Sequence, residues 1–158
     1  MNIHDEYVAA VERERWPEDP RVPERAPYYS EAGVIYNILM RPVGGVAVIR
    51  SAHGSVRSNH YHQTDWHYLH VLEGRILYFE REAGSTRVPD PYVIYYNQTV
   101  FTAPGKEHAV VSVGISVILS LSKLARTHEA HEADVVRTSF IDDKTAYELA
   151  ERYYRARE

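Results

Sequence analysis

The chain has 158 residues, a formal net charge of −4, 44% hydrophobic and 25% charged residues, and no cysteine, which suits one globular domain around a single core. Without cysteine there are no disulfides, thiolate zinc sites, iron–sulfur clusters or cysteine nucleophiles, so any transition metal has to be held by His, Asp or Glu. The acidic balance argues against a nucleic-acid partner, and no apolar run approaches the roughly 20 residues that span a bilayer.

The N-terminus, 1-MNIHDEYVAAVERERW-16, is charged throughout and has no apolar leader core, so a cytoplasmic location is expected. Ile3, Tyr7, Ala10 and Val11 recur at helical spacing and predict a short amphipathic helix over residues 3–15. Pro17, Pro20, Pro23 and Pro27 then forbid regular structure, so residues 1–30 read as a helix followed by an arm. Short β-rich runs follow: 34-VIYNILM-40, 46-VAVIR-50, 66-WHYLHVL-72, 75-RILYFE-80, 92-YVIYY-96, 99-TVFTA-103, 108-HAVVSV-113 and 115-ISVILSL-121. Glycine- and proline-bearing turns separate them, and such spacing predicts an all-β sandwich or barrel over residues 31–125. The extension 126–158 opens with 128-HEAHEAD-134, expected as a polar connection. One more strand in 134-DVVRTSF-140 follows, and then a helix from about Lys144 to Arg157, capped by Asp142 or Asp143.

Five histidines lie between His53 and His70. His60 and His62 are two apart, and in a strand they share one face, where two imidazoles can meet one ion. His67 follows after four residues, enough for a turn into the next strand, and His108 opens a later strand after the turn at Pro104-Gly105. Three or four nitrogen ligands from neighbouring strands leave positions open to water or substrate, the mark of a catalytic site. Asp65 is the alternative to His67. His70, three residues past His67, falls on the opposite face, and His53 sits at a turn. His4, His128 and His131 are expected in solvent.

The spacing Gly54-x5-His60-x-His62-x4-His67-x6-Gly74 resembles the first motif of the cupin superfamily, with His67 where that motif usually has glutamate. Residues Asn97 to Ser112 resemble the second motif: Gly105 and His108 are kept, while Asn97, Ala103 and Ser112 replace a glycine, a proline and an asparagine. The resemblance covers residues 34–121. It implies a cupin-type jelly-roll β-barrel, flanked here by short N- and C-terminal helical extensions. It also implies one divalent transition metal held by His60, His62, His67 and His108. Zinc, iron, manganese, nickel and copper all remain open, since imidazole suits several of these ions. Pairing as a homodimer, through strands or exchanged N-terminal arms, is implied as well. An all-imidazole site keeps the ion's full charge and should favour an anionic chelating ligand.

Tyr36, Tyr61, Tyr68, Tyr78, Tyr92, Tyr95 and Tyr96 fall in or beside the predicted strands, where most are packing residues. A tyrosine lining the barrel would orient or protonate a substrate, and Tyr68 is the candidate. Lys106 and Glu107, in the second motif's turn, are candidate acid–base groups at the barrel mouth. Arg41, Arg50, Arg57 and Arg75 are candidates for meeting an anionic substrate. Trp66 precedes a ligand and should face away from it.

The expected function is a metal-dependent enzyme that chelates a small oxygenated molecule and works through an enolate-like intermediate, as isomerase, epimerase or lyase. A non-haem metal dioxygenase and a non-catalytic sugar-binding cupin are the alternatives. The segment 59-NHYH-62 is similar to that of stand-alone cupins in surface-polysaccharide and nucleotide-sugar metabolism, which tilts the substrate toward a keto sugar or a hydroxy or keto acid.

Overall fold

The computed structural model describes residues 2–156. Helix α1 (Ile3–Glu12) is capped by Asn2, whose side chain accepts the Asp5 N–H at 2.9 Å. It stops short of the predicted end because Glu14 turns to φ 57°, which an α-helix cannot continue through. The proline-rich arm is extended but not free. Val22 donates to Thr99 O at 2.9 Å and Phe101 donates to Pro20 O at 2.7 Å, so the arm is tied down by an isolated antiparallel bridge between Arg21 and Val100. Beyond it β1 (Tyr28–Ser30) and β2 (Gly33–Ile35) form a separate, fully exposed hairpin.

The main antiparallel sheet contains β3 (Gly45–Ser51), β4 (Val56–His62), β5 (His67–Glu82), β6 (Tyr92–Ile94), β7 (Thr99–Thr102), β8 (Lys106–Ser122) and β9 (Val135–Arg137). Their order is β6-β5-β8-β4-β9, with β3 also on β8 and β7 also on β5. Strand β5 absorbs the predicted runs 66–72 and 75–80, and β8 absorbs 108–113 and 115–121. The glycines expected to separate them act as corners inside continuous strands. Gly74 has φ 76°, and a Cβ there would lie 2.2 Å from Ile115 O. Register slips on both sides of Glu73, so the two long strands bend together through a bulge, a device that curves a sheet toward closure. Run 34–40 is mostly irregular. Ile38 and Leu39 instead pack on the cluster around Tyr68 and Phe101.

Alternation along the bent strands gives the barrel an inner face with Leu69, Val71, Ile76, Tyr78, Val110 and Ile118. Helix α1 covers one outer face, over Trp66, Tyr68 and Phe101. Helix α3 (Asp143–Arg155) covers the other, laying Ala146 and Ala150 on Leu77, Phe79 and Val111. Asp142 caps it by accepting the Thr145 N–H at 2.7 Å; its expected end at Arg157 lies outside the described residues. The run 128–134, expected as a polar connection, is helix α2 (His128–Asp134), started by Thr127, whose side chain accepts the Ala130 N–H. Strand β9 then joins the edge of β4, with His62 opposite Val135 and His60 opposite Arg137. Among the described residues no helix is long and apolar enough to cross a membrane.

Candidate functional site

The local backbone of 58-SNHYH-62 aims the histidines. Ser58 and Asn59 both take left-handed conformations, φ 70° and 55°, and the β4–β8 register slips between Ser58 and His60. Such a bulge is unstable unless anchored. The Asn59 amide donates to Ile141 O at 2.7 Å and accepts the Ile141 N–H at 3.0 Å. Beyond the bulge His60 stands opposite His108, and His62 follows on the same wall.

His60, His62 and His108 each offer a ring nitrogen within 4.8 Å of the others. His67 enters from β5, its Nε2 3.1 Å from His108 Nε2. Two nitrogens on one ion at about 2.0–2.1 Å lie about 2.9 to 3.4 Å apart, from right-angled to tetrahedral, so this spacing fits shared ligation. The tautomers fit as well. His108 Nδ1 lies 3.0 Å from Lys106 O, and a carbonyl only accepts, so the lone pair is on Nε2. His62 Nδ1 lies 3.2 Å from Asp134 Oδ2 and donates there, so its buried Nε2, which has no protein partner, is also a lone pair. A carboxylate behind a ligating imidazole fixes ring and tautomer in this way. His67 fits less well. Its Nδ1 is buried without a partner, so turning Nε2 to an ion would leave an unpaired N–H at a cost of about 1–3 kcal/mol. The donor set therefore fits a divalent ion, with His60, His62 and His108 the better ligands and His67 the weaker fourth.

Electrostatics keep these rings in their ligating form. Burial, reinforced by the His108 charge, pushes His60 down to about 3; burial also takes His62 to about 4 and His108 to about 3. Burial holds His67 well below the usual range too. The charge of Arg126 works in the same direction at all four. Neutral imidazole is the form that binds metal.

Glu80 shares the inner face, directly opposite His108 in register. It accepts from the Tyr78 hydroxyl at 3.0 Å, and that hydroxyl lies 2.6 Å from Thr102 Oγ1. The Tyr78 ring is stacked 6.4 Å from His108. Burial raises the Glu80 carboxyl to about 7, against the lowering effects of Tyr78 and Lys106. A carboxyl near neutrality, on the strand position opposite His108, can give or take a proton.

Of the three acid–base candidates from the sequence, Tyr68 and Glu107 lie off the inner face. Tyr68 points to the outer face and packs with Trp66, Phe101 and Val11 beneath α1. Glu107 is turned away from His108 by alternation, ion-paired with Arg81 and accepting the Gly84 N–H at 3.3 Å. Lys106 is ion-paired with Glu82. Asp65, the alternative ligand, accepts the Leu124 N–H at 3.0 Å. His70 lies on the outer face, Nδ1 2.8 Å from Thr99 Oγ1, and His53 packs against Tyr147 and Tyr154 of α3. Of the arginines, Arg41 lies over the Trp66 ring, Arg50 faces Glu73, Arg57 bonds Ser51 and Arg75 bonds Tyr153 O.

Sequence reasoning passed over Asp134, His131, Arg126 and Glu80. His131 was expected in solvent, yet its ring lies 5.8 Å from His60 and 5.7 Å from His62. Helix α2 turns it inward, because Asp134 at the helix end is anchored beneath His62. One signal was present for Glu80: Ile76, Tyr78 and Glu80 share parity, so an acid follows two apolar residues on the core face. For Arg126 and His131 the local sequence carries no such signal.

No family model matches the chain, and no curated protein sequence matches it. Solved structures do resemble it. The 3'-monoepimerase ChmJ of Streptomyces bikiniensis, in complex with dTDP-quinovose, is 17% identical, with a TM-score of 0.61 over 78% of this chain and 71% of that one. The dTDP-6-deoxy-D-glucose-3,5-epimerase of Legionella pneumophila, in complex with dTDP-4-keto-L-rhamnose, is 16% identical, with a TM-score of 0.60 over 78% and 74%. The capsular polysaccharide assembling protein CapF of Staphylococcus aureus is 18% identical, with a TM-score of 0.54 over 71% of this chain and 33% of that one. At such identities the likeness carries the fold, and the fold of this chain is the cupin-type jelly-roll barrel.

Proposed function

We propose that the protein is a metal-dependent enzyme of the isomerase, epimerase or lyase type, moving a proton next to a carbonyl of a small oxygenated substrate. The observation that carries this is the convergence of His60, His62, His67 and His108 inside one end of the barrel, with the His62 tautomer fixed by Asp134. A divalent ion bound there supplies Lewis-acid polarisation of a carbonyl oxygen. The chain's own residues do the rest. His60, His62 and His108 present lone pairs, and Asp134 holds the His62 Nδ1 proton. Glu80 takes or returns a proton at its carboxylate, steadied by the Tyr78 hydroxyl. Val110, Leu69 and Ile118 close the barrel beneath and keep water from the reacting face. That two structural neighbours are sugar-nucleotide epimerases supports a keto sugar or related acid as substrate. The test is elemental mass spectrometry on untagged protein, followed by proton exchange into keto sugars and hydroxy acids in deuterated water. Stoichiometric metal and metal-dependent exchange are expected; failure to bind any divalent ion refutes the reading.

One observation favours a second reading. His62, with Nδ1 on Asp134 and a free, buried Nε2, is arranged as a general base that needs no ion. Exchange that persists at full rate after metal removal selects this reading.

Pairing of two copies is part of the proposal. Among the described residues strand β3 bonds only β8, and it exposes Val46 and Val48 at 64% and 66%. The hairpin β1–β2 exposes Tyr28, Tyr29 and Ile35, and an isolated hairpin is at best marginally stable. Light scattering should give twice the chain mass, and a value near 18.2 kDa at micromolar concentration refutes pairing.

A further inference from the structure

The segment between β8 and β9 forms one side of the histidine cluster and is pinned at both ends. Lys123 donates to Trp66 O at 3.0 Å and Leu124 to Asp65 Oδ1 at 3.0 Å. At the far end Gln63 donates to Asp134 O at 2.9 Å and Thr138 to Asn59 O at 2.9 Å. Two side chains of this segment have work that the fold does not explain. Arg126 is partly buried, its Nε enclosed without an acceptor, and it makes no ion pair among the described residues. Of the nearby carboxylates, Asp134 accepts from His62, Thr64 and Asp65, while Asp65 accepts the Leu124 N–H and acts on Arg126 only through its charge, without an ion pair. By contrast Arg137, the other cation of this region, is paired with Glu132 through both terminal nitrogens. His131 adds a fifth imidazole, at a spacing from His60 and His62 similar to the 5.6 Å between His62 and His108. A half-buried guanidinium whose Nε has no acceptor is costly, and a bound anion removes the cost through paired, charge-assisted hydrogen bonds.

We propose that Arg126 and His131 form the recognition wall of the site and receive a carboxylate of the substrate, so that the natural substrates are oxo or hydroxy acids rather than neutral carbonyl compounds. The proposal rests on the histidine cluster being the reaction site, and it holds with or without the metal. His131, with its ring 5.8 Å from His60 and 5.7 Å from His62, holds this wall against the cluster, so the acid group sits close to the reacting carbon. A 2-oxo or 2-hydroxy carboxylate meets that requirement.

The experiment uses the full chain, metal-stripped and cobalt(II)-loaded, titrated with pyruvate and with its uncharged methyl ester and followed by saturation-transfer NMR, with the binding of inorganic phosphate read from its displacement of pyruvate. Wild-type protein binds pyruvate in preference to the other two. Arg126→Gln weakens pyruvate by about tenfold or more, the scale of one lost charge-assisted contact, and His131→Gln weakens it about threefold. Neither changes binding of the ester, and both variants melt as wild type does by circular dichroism. If Arg126→Gln does not fold, Arg126→Lys, which keeps the charge without the planar fork, takes its place and weakens pyruvate by a smaller factor. Changes below twofold in both variants, equal losses for the ester, tighter binding of phosphate than pyruvate, or no binding of pyruvate by either wild-type form overturn the proposal. A wild-type chain that takes up no cobalt sinks the metal reading alone, and the titration of the stripped protein then decides the role of the wall.

Discussion

Replacing Asp134 with Asn keeps the shape of the side chain and turns one acceptor edge into a donor. Oδ1 accepts the Thr64 N–H at 2.8 Å and the Thr64 hydroxyl at 2.7 Å; Oδ2 accepts the Asp65 N–H at 3.1 Å and His62 Nδ1 at 3.2 Å. An amide nitrogen in place of Oδ2 faces a fixed N–H from Asp65 and forces His62 to move its proton to Nε2, where no ion can bind. In place of Oδ1 it faces the fixed Thr64 N–H, while the hydroxyl can rotate to accept. Either placement strands one backbone N–H, about 1–3 kcal/mol, and the remaining bonds lose about 1 kcal/mol of charge assistance. Asp134→Asn should therefore cost about 2–4 kcal/mol in the metal-stripped protein, read by urea unfolding followed by circular dichroism. Cobalt(II) affinity, read by competition with a chromophoric chelator, should fall 10- to 100-fold, the scale for losing a carboxylate behind a ligating histidine. A stability change under 1 kcal/mol together with an affinity within twofold of wild type would refute the reasoning.

Glu80→Gln should stabilise the protein at pH 8 and have little effect at pH 5. The folded state raises this carboxyl from 4.5 to about 7, so wild type loses stability as pH rises between those values, by at most about 3 kcal/mol. Equal effects at both pH values would show that Glu80 ionises normally. Acid should destabilise the metal-stripped protein in the opposite direction. Histidines with depressed folded pKa values contribute fully above 6.5 and lose that contribution below it, on the order of 2 kcal/mol each by pH 5. Glu80 offsets about one of them, so a urea midpoint unchanged from pH 7 to 5 contradicts the buried neutral cluster. Gly74→Ala places a Cβ against Ile115 O at a positive φ and should cost at least about 2 kcal/mol; a wild-type melting temperature would mean the long strands bend elsewhere.

The barrel was legible in the chain because β-rich runs separated by turn residues recur along residues 34–121. Where prediction and structure part, the cause is long-range. The pattern marks Gly74 and Gly114 as breaks, but bends shared by two paired strands need the partner to be seen. The histidine spacings 60, 62, 67 and 108 brought together the residues that the barrel brings together. Tyr68 and Glu107 lie off the inner face for a simple reason. Each is one residue from a histidine of the cluster, and adjacency in a strand means opposite faces. Asp134 and His131 were invisible for another reason: nothing in 128-HEAHEAD-134 announces that a seven-residue helix will be drawn across the barrel by a three-residue strand. Asn97, in place of the glycine of the second motif, takes φ 64°, a conformation that asparagine tolerates better than most residues.

The two tryptophans give the molecule a built-in reporter. Trp16 stacks on Phe101 at 6.0 Å, and Trp66 lies 6.2 Å from the same ring with the Arg41 guanidinium 4.3 Å above it. Both indoles thus sit where the N-terminal helix and arm dock on the barrel. Intrinsic emission excited at the indole band therefore follows attachment and release of that arm. Where arm release precedes collapse of the barrel, emission will change at lower denaturant than the circular dichroism of the strands.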